Sequence, residues 1–264
     1  MALGDVSAAA SRHALVCGAS RGIGRATCFA LAARGHELTL VARDAVALRA
    51  LVEPLRRAGA PAVHAVPGDL DDLDATLALL RPHVARHPAT VLVNNRAGPA
   101  AGPLLEASGA QILAALGGHL VAAHRLVQLV LPAMEQQHFG RIVQVLSTSV
   151  REPLPGLGVS NLVRAAVAAW AKTLSRELPP YVTINNVLPG GTETERLTKL
   201  FVAQAARDGR TVDEVRGDWL SPVPQGRFAQ PEEQAEVVAF LCSPAASYVH
   251  GVSLPVDGGR LNSV

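Results

Sequence analysis

The chain has 264 residues, a formal net charge of +2, 49% hydrophobic content and 17% charged content. A chain of this length buries enough surface to fold around its own core without a disulfide or metal staple, and its apolar content excludes general disorder. Arginine carries nearly all the positive charge, because lysine occurs only at Lys172 and Lys199, and aromatics are 3%. No basic, aromatic-interleaved surface for nucleic acid is legible. Cys17, Cys28 and Cys242 are odd in number and lack Cys-x-x-Cys spacing, which points to a reducing, cytoplasmic location. No run of roughly 18 uninterrupted apolar residues exists to span a membrane. Met1–Ser11 lacks a secretory pattern and reads as a disordered tail, with a single domain over 12–264.

In chain order, apolar runs of strand length fall at 13–17, 37–42, 62–66, 90–94, 141–146, 182–187 and 252–256. Most are rich in Val, Leu and Ile without polar alternation, the mark of strands covered on both faces. Amphipathic stretches of helix length lie between them, at 23–34, 45–57, 71–87, 110–138, 160–178 and 231–241. The alternation predicts an α/β chain, a single-domain Rossmann fold with a doubly wound, seven-stranded parallel sheet. Residues 190–230 depart from it after the sixth strand, with helical pieces near 195–206 and 212–220. An insertion there overlies the carboxyl ends of the strands, where such sheets bind ligands, and is expected to act as a substrate lid.

The first strand runs directly into Gly18-Ala19-Ser20-Arg21-Gly22-Ile23-Gly24, which opens a helix. Glycines at these spacings permit a tight turn and let backbone N–H groups approach a pyrophosphate at the helix N-terminus. The second strand ends in Arg43-Asp44. An acid there binds a ribose hydroxyl, whereas an arginine accommodates a 2′-phosphate. Arg43 and Arg21 favour NADP(H), with Asp44 as the competing acid.

With these residues in hand, the sequence resembles the short-chain dehydrogenase/reductase family, in its classical branch and near the 3-oxoacyl-acyl-carrier-protein reductases. The resemblance runs from about His13 to Gly259. It rests on the Gly18–Gly24 loop, Asp69-Leu70, Asn94-Asn95, Gly140-Arg141-Ile142-Val143, Asn186-Val187-Leu188-Pro189-Gly190 and Gly226-Arg227-Phe228 through Asp257-Gly258-Gly259. It implies that Gly18, Ser20, Arg21, Gly22, Ile23, Gly24, Arg43, Pro189 and Gly190 line the cofactor. Asp69 and Leu70 would lie near the adenine, Asn95 near the ribose and Thr194 near the nicotinamide amide. It also implies a homotetramer or dimer built on the helices at 110–138 and 160–178.

The catalytic group departs from the family, which uses Asn, Ser, Tyr and Lys. Neither Tyr181 nor Tyr248 is followed four residues later by lysine. Family spacing puts the serine at Ser147, the tyrosine position at Ser160, the lysine position at Arg164 and the asparagine position at His119. A serine hydroxyl cannot replace a phenol as acid, and an arginine does not deprotonate. Three compensations are open. His119 delivers a proton; Ser147, Ser160 and Arg164 polarise a carbonyl while water supplies the proton; or the acceptor is an iminium or conjugated system that needs no acid. Arg96 either binds an anionic substrate group or points to solvent, and Arg151 and Glu152 form a rim ion pair or touch substrate. The expected activity is NADP(H)-dependent hydride transfer to a carbonyl, imine or conjugated acceptor. The alternative is a non-redox enzyme (a cyclase, dehydratase or isomerase) or a catalytically silent partner subunit on the same fold. His83 and His87 stand at metal-like spacing but lack an evident third ligand, so they read as structural, as do Cys17, Trp170 and Trp219. No metal is expected.

Overall fold

A computed structural model describes residues 12–263; the expected tail, Met1–Ser11, lies outside them. The seven strands are β1 (His13–Cys17), β2 (Glu37–Ala42), β3 (Val63–Pro67), β4 (Val91–Asn95), β5 (Gly140–Val145), β6 (Val182–Pro189) and β7 (Ser253–Val256). They form one sheet in the order β3-β2-β1-β4-β5-β6-β7, and all its pairings are parallel. Strand order reverses between β1 and β4, so a crevice opens at their carboxyl ends.

The helices are α1 (Gly22–Ala32), α2 (Ala45–Arg57), α3 (Leu73–Arg86), α4 (Gly109–Leu116), α5 (Ala122–Gln136), α6 (Gly158–Leu174), α7 (Glu195–Asp208), α8 (Val212–Leu220) and α9 (Pro231–Leu241). Successive residues of a strand face opposite sides. Ala14 and Val16 of β1 accordingly join Leu31, Leu48 and Val238 of α1, α2 and α9. Leu15 and Cys17 join Leu80, Val130 and Ala171 of α3, α5 and α6 on the other face. Both cores are dry and aliphatic, and each fully buried Leu contributes about 1.5–3 kcal/mol of transfer free energy.

The expected helix at 110–138 is present as one helical run, Gly109–Gln136, with a wider turn inside it. A five-residue π-helical turn, Gly117–Val121, separates α4 from α5. The Arg96 guanidinium packs against Gly118 at this turn, where any Cβ would overlap it. The wider turn accommodates this approach and carries His119 into the crevice. By length and composition alone the stretch Gly109–Gln136 could cross a membrane. Its inner face, with Leu126, Val127, Val130 and Met134, is core instead. Residues 190–230 hold α7 and α8, which share a small core of Leu197, Phe201, Ala205, Val215 and Phe228. Trp219 packs on Phe201 and donates to Gln204 Oε1 at 3.0 Å, and Trp170 sits edge-on to His124.

Candidate active site

The loop between β1 and α1 is built for a close backbone approach. Gly18 adopts φ +64°, and a Cβ there would lie 2.8 Å from Asn95 Nδ2. A Cβ on Gly24 would overlap the Gly18 carbonyl. Asn95 donates to that same carbonyl at 3.4 Å, tying β4 to the loop. Arg21 occupies the N-cap of α1 without a capping side chain, and no acid stands in the first turn. The helix therefore presents backbone N–H groups and its positive dipole end to the crevice.

Arg43 and Asp69, 3.9 Å apart and both exposed, meet at the ends of β2 and β3. Asp44 accepts from Ala47 N at 2.9 Å as the N-cap of α2. That carboxylate is committed to the helix, while Arg43 stands exposed beside it at the end of β2. Across the crevice, Thr194 caps α7 and its methyl lies against Gly22. Gly190 packs so closely on Asp257 that a Cβ would come within 2.8 Å of it.

The catalytic candidates converge at the carboxyl end of β5. Arg164, on α6, is nine-tenths buried. Its Nη1 donates to the carbonyls of Val145 and Leu146, and its Nε donates to Ser160 Oγ at 3.2 Å, one turn earlier on α6. Burial, then the charge of Arg196, lowers its pKa to about 10, so it remains a cation at neutral pH. Ser147 follows β5, and its Oγ accepts from Ser149 N at 3.1 Å. Both serines thus use an oxygen lone pair within the protein and keep a hydroxyl proton to donate.

His119 enters from the π turn, buried at 9% exposure. Burial, then Arg164, Arg96 and Arg196, drives its pKa down to about 3. The ring is neutral at pH 7, which makes it a poor proton source and a good N–H donor. Arg96 pairs with Asp71, while its Nη1 is buried without a protein partner. Asn94 Nδ2 and Oδ1 and Gln144 Nε2 are also buried and unpartnered, and all three residues line a small cavity beside His119. Buried polar atoms of this kind are met by water or ligand.

Sequence spacing did not single out Arg196 or Gly98. Arg196 Nη2 donates to Pro99 O at 3.4 Å. A Cβ on Gly98 would lie 2.7 Å from Arg196 Nη2 and 3.2 Å from both Arg164 Nη2 and Ser160 Oγ. The segment after β4 therefore runs directly over the Ser160–Arg164 pair. Arg151 donates to Ser253 O and Glu152 accepts from Asn262 N, so both help fasten β7 and the chain end.

Residues 18–260 match the family model described as enoyl-(acyl carrier protein) reductase. The 3-oxoacyl-acyl-carrier-protein reductase FabG of Vibrio harveyi is 32% identical over 93% of this chain and 96% of its own length. The chain belongs to the short-chain dehydrogenase/reductase family. Among solved structures of the family, L-sorbose reductase from Gluconobacter frateurii with NADPH and L-sorbose superposes with a TM-score of 0.88. It is 27% identical and covers 96% of this chain and 98% of that one. An actinorhodin polyketide ketoreductase with NADPH gives the same TM-score at 31% identity, over 96% of this chain and 98% of its own.

Proposed function

We propose that this protein is an NADP(H)-dependent oxidoreductase that reduces a carbonyl, imine or conjugated acceptor bearing an anionic group. The observation that carries the reading is the buried Ser160–Arg164 pair, held against the β5 carbonyls beside an intact dinucleotide cradle. Related structures that hold NADPH, and the commitment of Asp44 to helix capping, support the phosphorylated cofactor. Ser20, Ile23, Leu70 and Pro189, with the glycines, Asn95 and Thr194, would complete the cradle. When bound, the nicotinamide supplies or accepts the hydride.

The protein's own share is electrostatic. Ser147 and Ser160 donate hydrogen bonds to the substrate oxygen, and Arg164 holds a fixed positive charge next to it. Donors already in place at developing negative charge are worth about 10²–10³ in rate each. The proton comes from water, because neutral His119 serves as a hydrogen-bond donor. Arg96 and Arg196 bring further positive charge, opposed in this cluster by Asp71 on Arg96, and suit a carboxylate or phosphate on the substrate. The α7–α8 segment acts as the lid. Leu113 in α4 and Val121 in the π turn are exposed, which fits a homotetramer or dimer built on the helices at 110–138 and 160–178. Three free, buried cysteines fit a cytoplasmic setting.

A second reading, a non-redox enzyme or a silent partner subunit, is favoured by the changed catalytic group, in which only Ser147 matches the family residue, and by the segment at Gly98 that runs close over Ser160 and Arg164. The test is NADPH binding by fluorescence, followed by NADPH oxidation across a panel of ketones, imines and enones with and without carboxylates. Turnover on an anionic acceptor is expected. Binding without turnover on any panel member establishes the second reading, and absence of binding overturns the cofactor assignment.

A further inference from the structure

At the opposite end of the sheet, five residues from four elements meet. Glu37 opens β2, His64 lies in β3, His87 caps the C-terminus of α3, His83 lies one turn before it, and His13 opens β1. Glu37 Oε1, His64 Nε2 and His87 Nδ1 lie within 4.8 Å of one another. Both imidazoles donate to the same carboxylate oxygen, His64 at 2.9 Å and His87 at 3.1 Å. Ligands bound tetrahedrally to zinc at about 2.0–2.2 Å stand roughly 3.3 Å apart. Two edges of such a site are therefore nearly formed.

The surroundings hold the ligands in place. His13 Nδ1–H donates to the His87 carbonyl at 2.8 Å. Its Nε2 then accepts from Thr39 Oγ1 at 2.7 Å, and Thr39 Oγ1 accepts from His83 Nε2 at 2.7 Å. The His83 ring stacks on His87 with centroids 4.8 Å apart and planes at 26°. Backbone and ring of His87 are thus both fixed by a buried network. Glu37, His64 and His87 themselves remain 23%, 28% and 33% exposed, which leaves a face for a water ligand.

We infer that Glu37, His64 and His87 form a binding site for a divalent transition-metal ion of the zinc type. Two imidazole nitrogens and one carboxylate, without sulfur, suit zinc with water in the fourth position. On binding, the protons now shared with Glu37 leave Nε2 of His64 and Nδ1 of His87, each moving to the other ring nitrogen or to solvent. The ion replaces two hydrogen bonds to one oxygen with three metal–ligand bonds. It lies about 17 Å from the cofactor cradle, the length of β2 at about 3.3 Å per residue. Its effect is to clamp β3, the edge strand, and α3 to β2.

The test uses the tag-free full-length chain, stripped with chelator and titrated with zinc by calorimetry while Tm is followed. One zinc per chain is expected, with Tm rising as zinc is added. Stoichiometric binding should be lost in His64→Gln and in Glu37→Gln and retained in His138→Gln, with folding checked by circular dichroism. Cobalt bound to the unaltered chain should give the intensified visible bands of low-coordinate nitrogen and oxygen ligation, a readout that does not depend on any variant folding. Absence of saturable binding, binding that survives both substitutions, or a cobalt spectrum of the aqueous ion overturns the site.

Discussion

Ser160 and Arg164 hold each other through one hydrogen bond of 3.2 Å, and that bond decides what the serine can do. With a lone pair occupied by the guanidinium, its hydroxyl proton stays available to donate to an oxygen in the crevice. Ser160→Ala should lower kcat/KM about 10²–10³-fold and leave NADPH affinity unchanged; steady-state kinetics beside a fluorescence titration measures both. Unaltered turnover would remove Ser160 from the catalytic group. A phenol at this position meets Gly98, so Ser160→Tyr with Arg164→Lys should reduce the native activity. A rise in ketone turnover would instead mark the site as a degraded ketone reductase. At the adenosine end, Arg43→Ala should cost NADPH about 10–100-fold in affinity while NADH binding stays level. Ser147, Ser160, Arg164 and His119 were legible because the family spacing survives around them. Arg196 and Gly98 were not, because their nearness to Ser160 is created by loops distant in sequence and signalled by no motif.

Elements were legible where the hydrophobic pattern decides them. All seven strands fall within a residue or two of their expected bounds, since most are short apolar runs buried between two helical layers, with the edge strands β3 and β7 half-buried. The helix at 110–138 was legible, but the π turn inside it was not, because the contact found there, Arg96 on Gly118, comes from outside the helix. Gly118→Ala adds a methyl group where the guanidinium lies. It should expel Arg96 from its pairing with Asp71 and raise KM for an anionic substrate more than it lowers kcat. A variant whose KM is unmoved would separate Arg96 from substrate binding. The histidine cluster escaped the sequence in the same way: His83 and His87 were visible as a pair, but Glu37 and His64 reach them only through strand register.

For the molecule as a whole, buried histidines contribute to the acid limb of stability, His36 and His119 among them. Burial, then Arg12, lowers His36 to about 4, and burial with the arginines lowers His119 to about 3. Above pH 6.5 both rings are neutral whether the chain is folded or unfolded, and the full stability is present. Below it the unfolded chain takes up protons that the folded chain refuses, so stability falls as pH drops from 6.5 through about 4. Urea midpoints measured with chelator between about pH 7.5 and about pH 4.5 should decline steadily, and His36→Gln should flatten the slope. A level profile would contradict the buried neutral rings.

One exposed contact joins two parts of the molecule that must cooperate. Arg21, at the mouth of α1, lies 3.1 Å from Glu195 in the first turn of α7. On the proposed function, a dianionic cofactor arriving at the mouth competes with Glu195 for the same guanidinium and weakens this contact between α1 and α7. Glu195→Gln should therefore strengthen NADPH binding, and added salt, which screens an exposed pair, should narrow the gap between the two proteins. The latch is drawn open by the guest it admits.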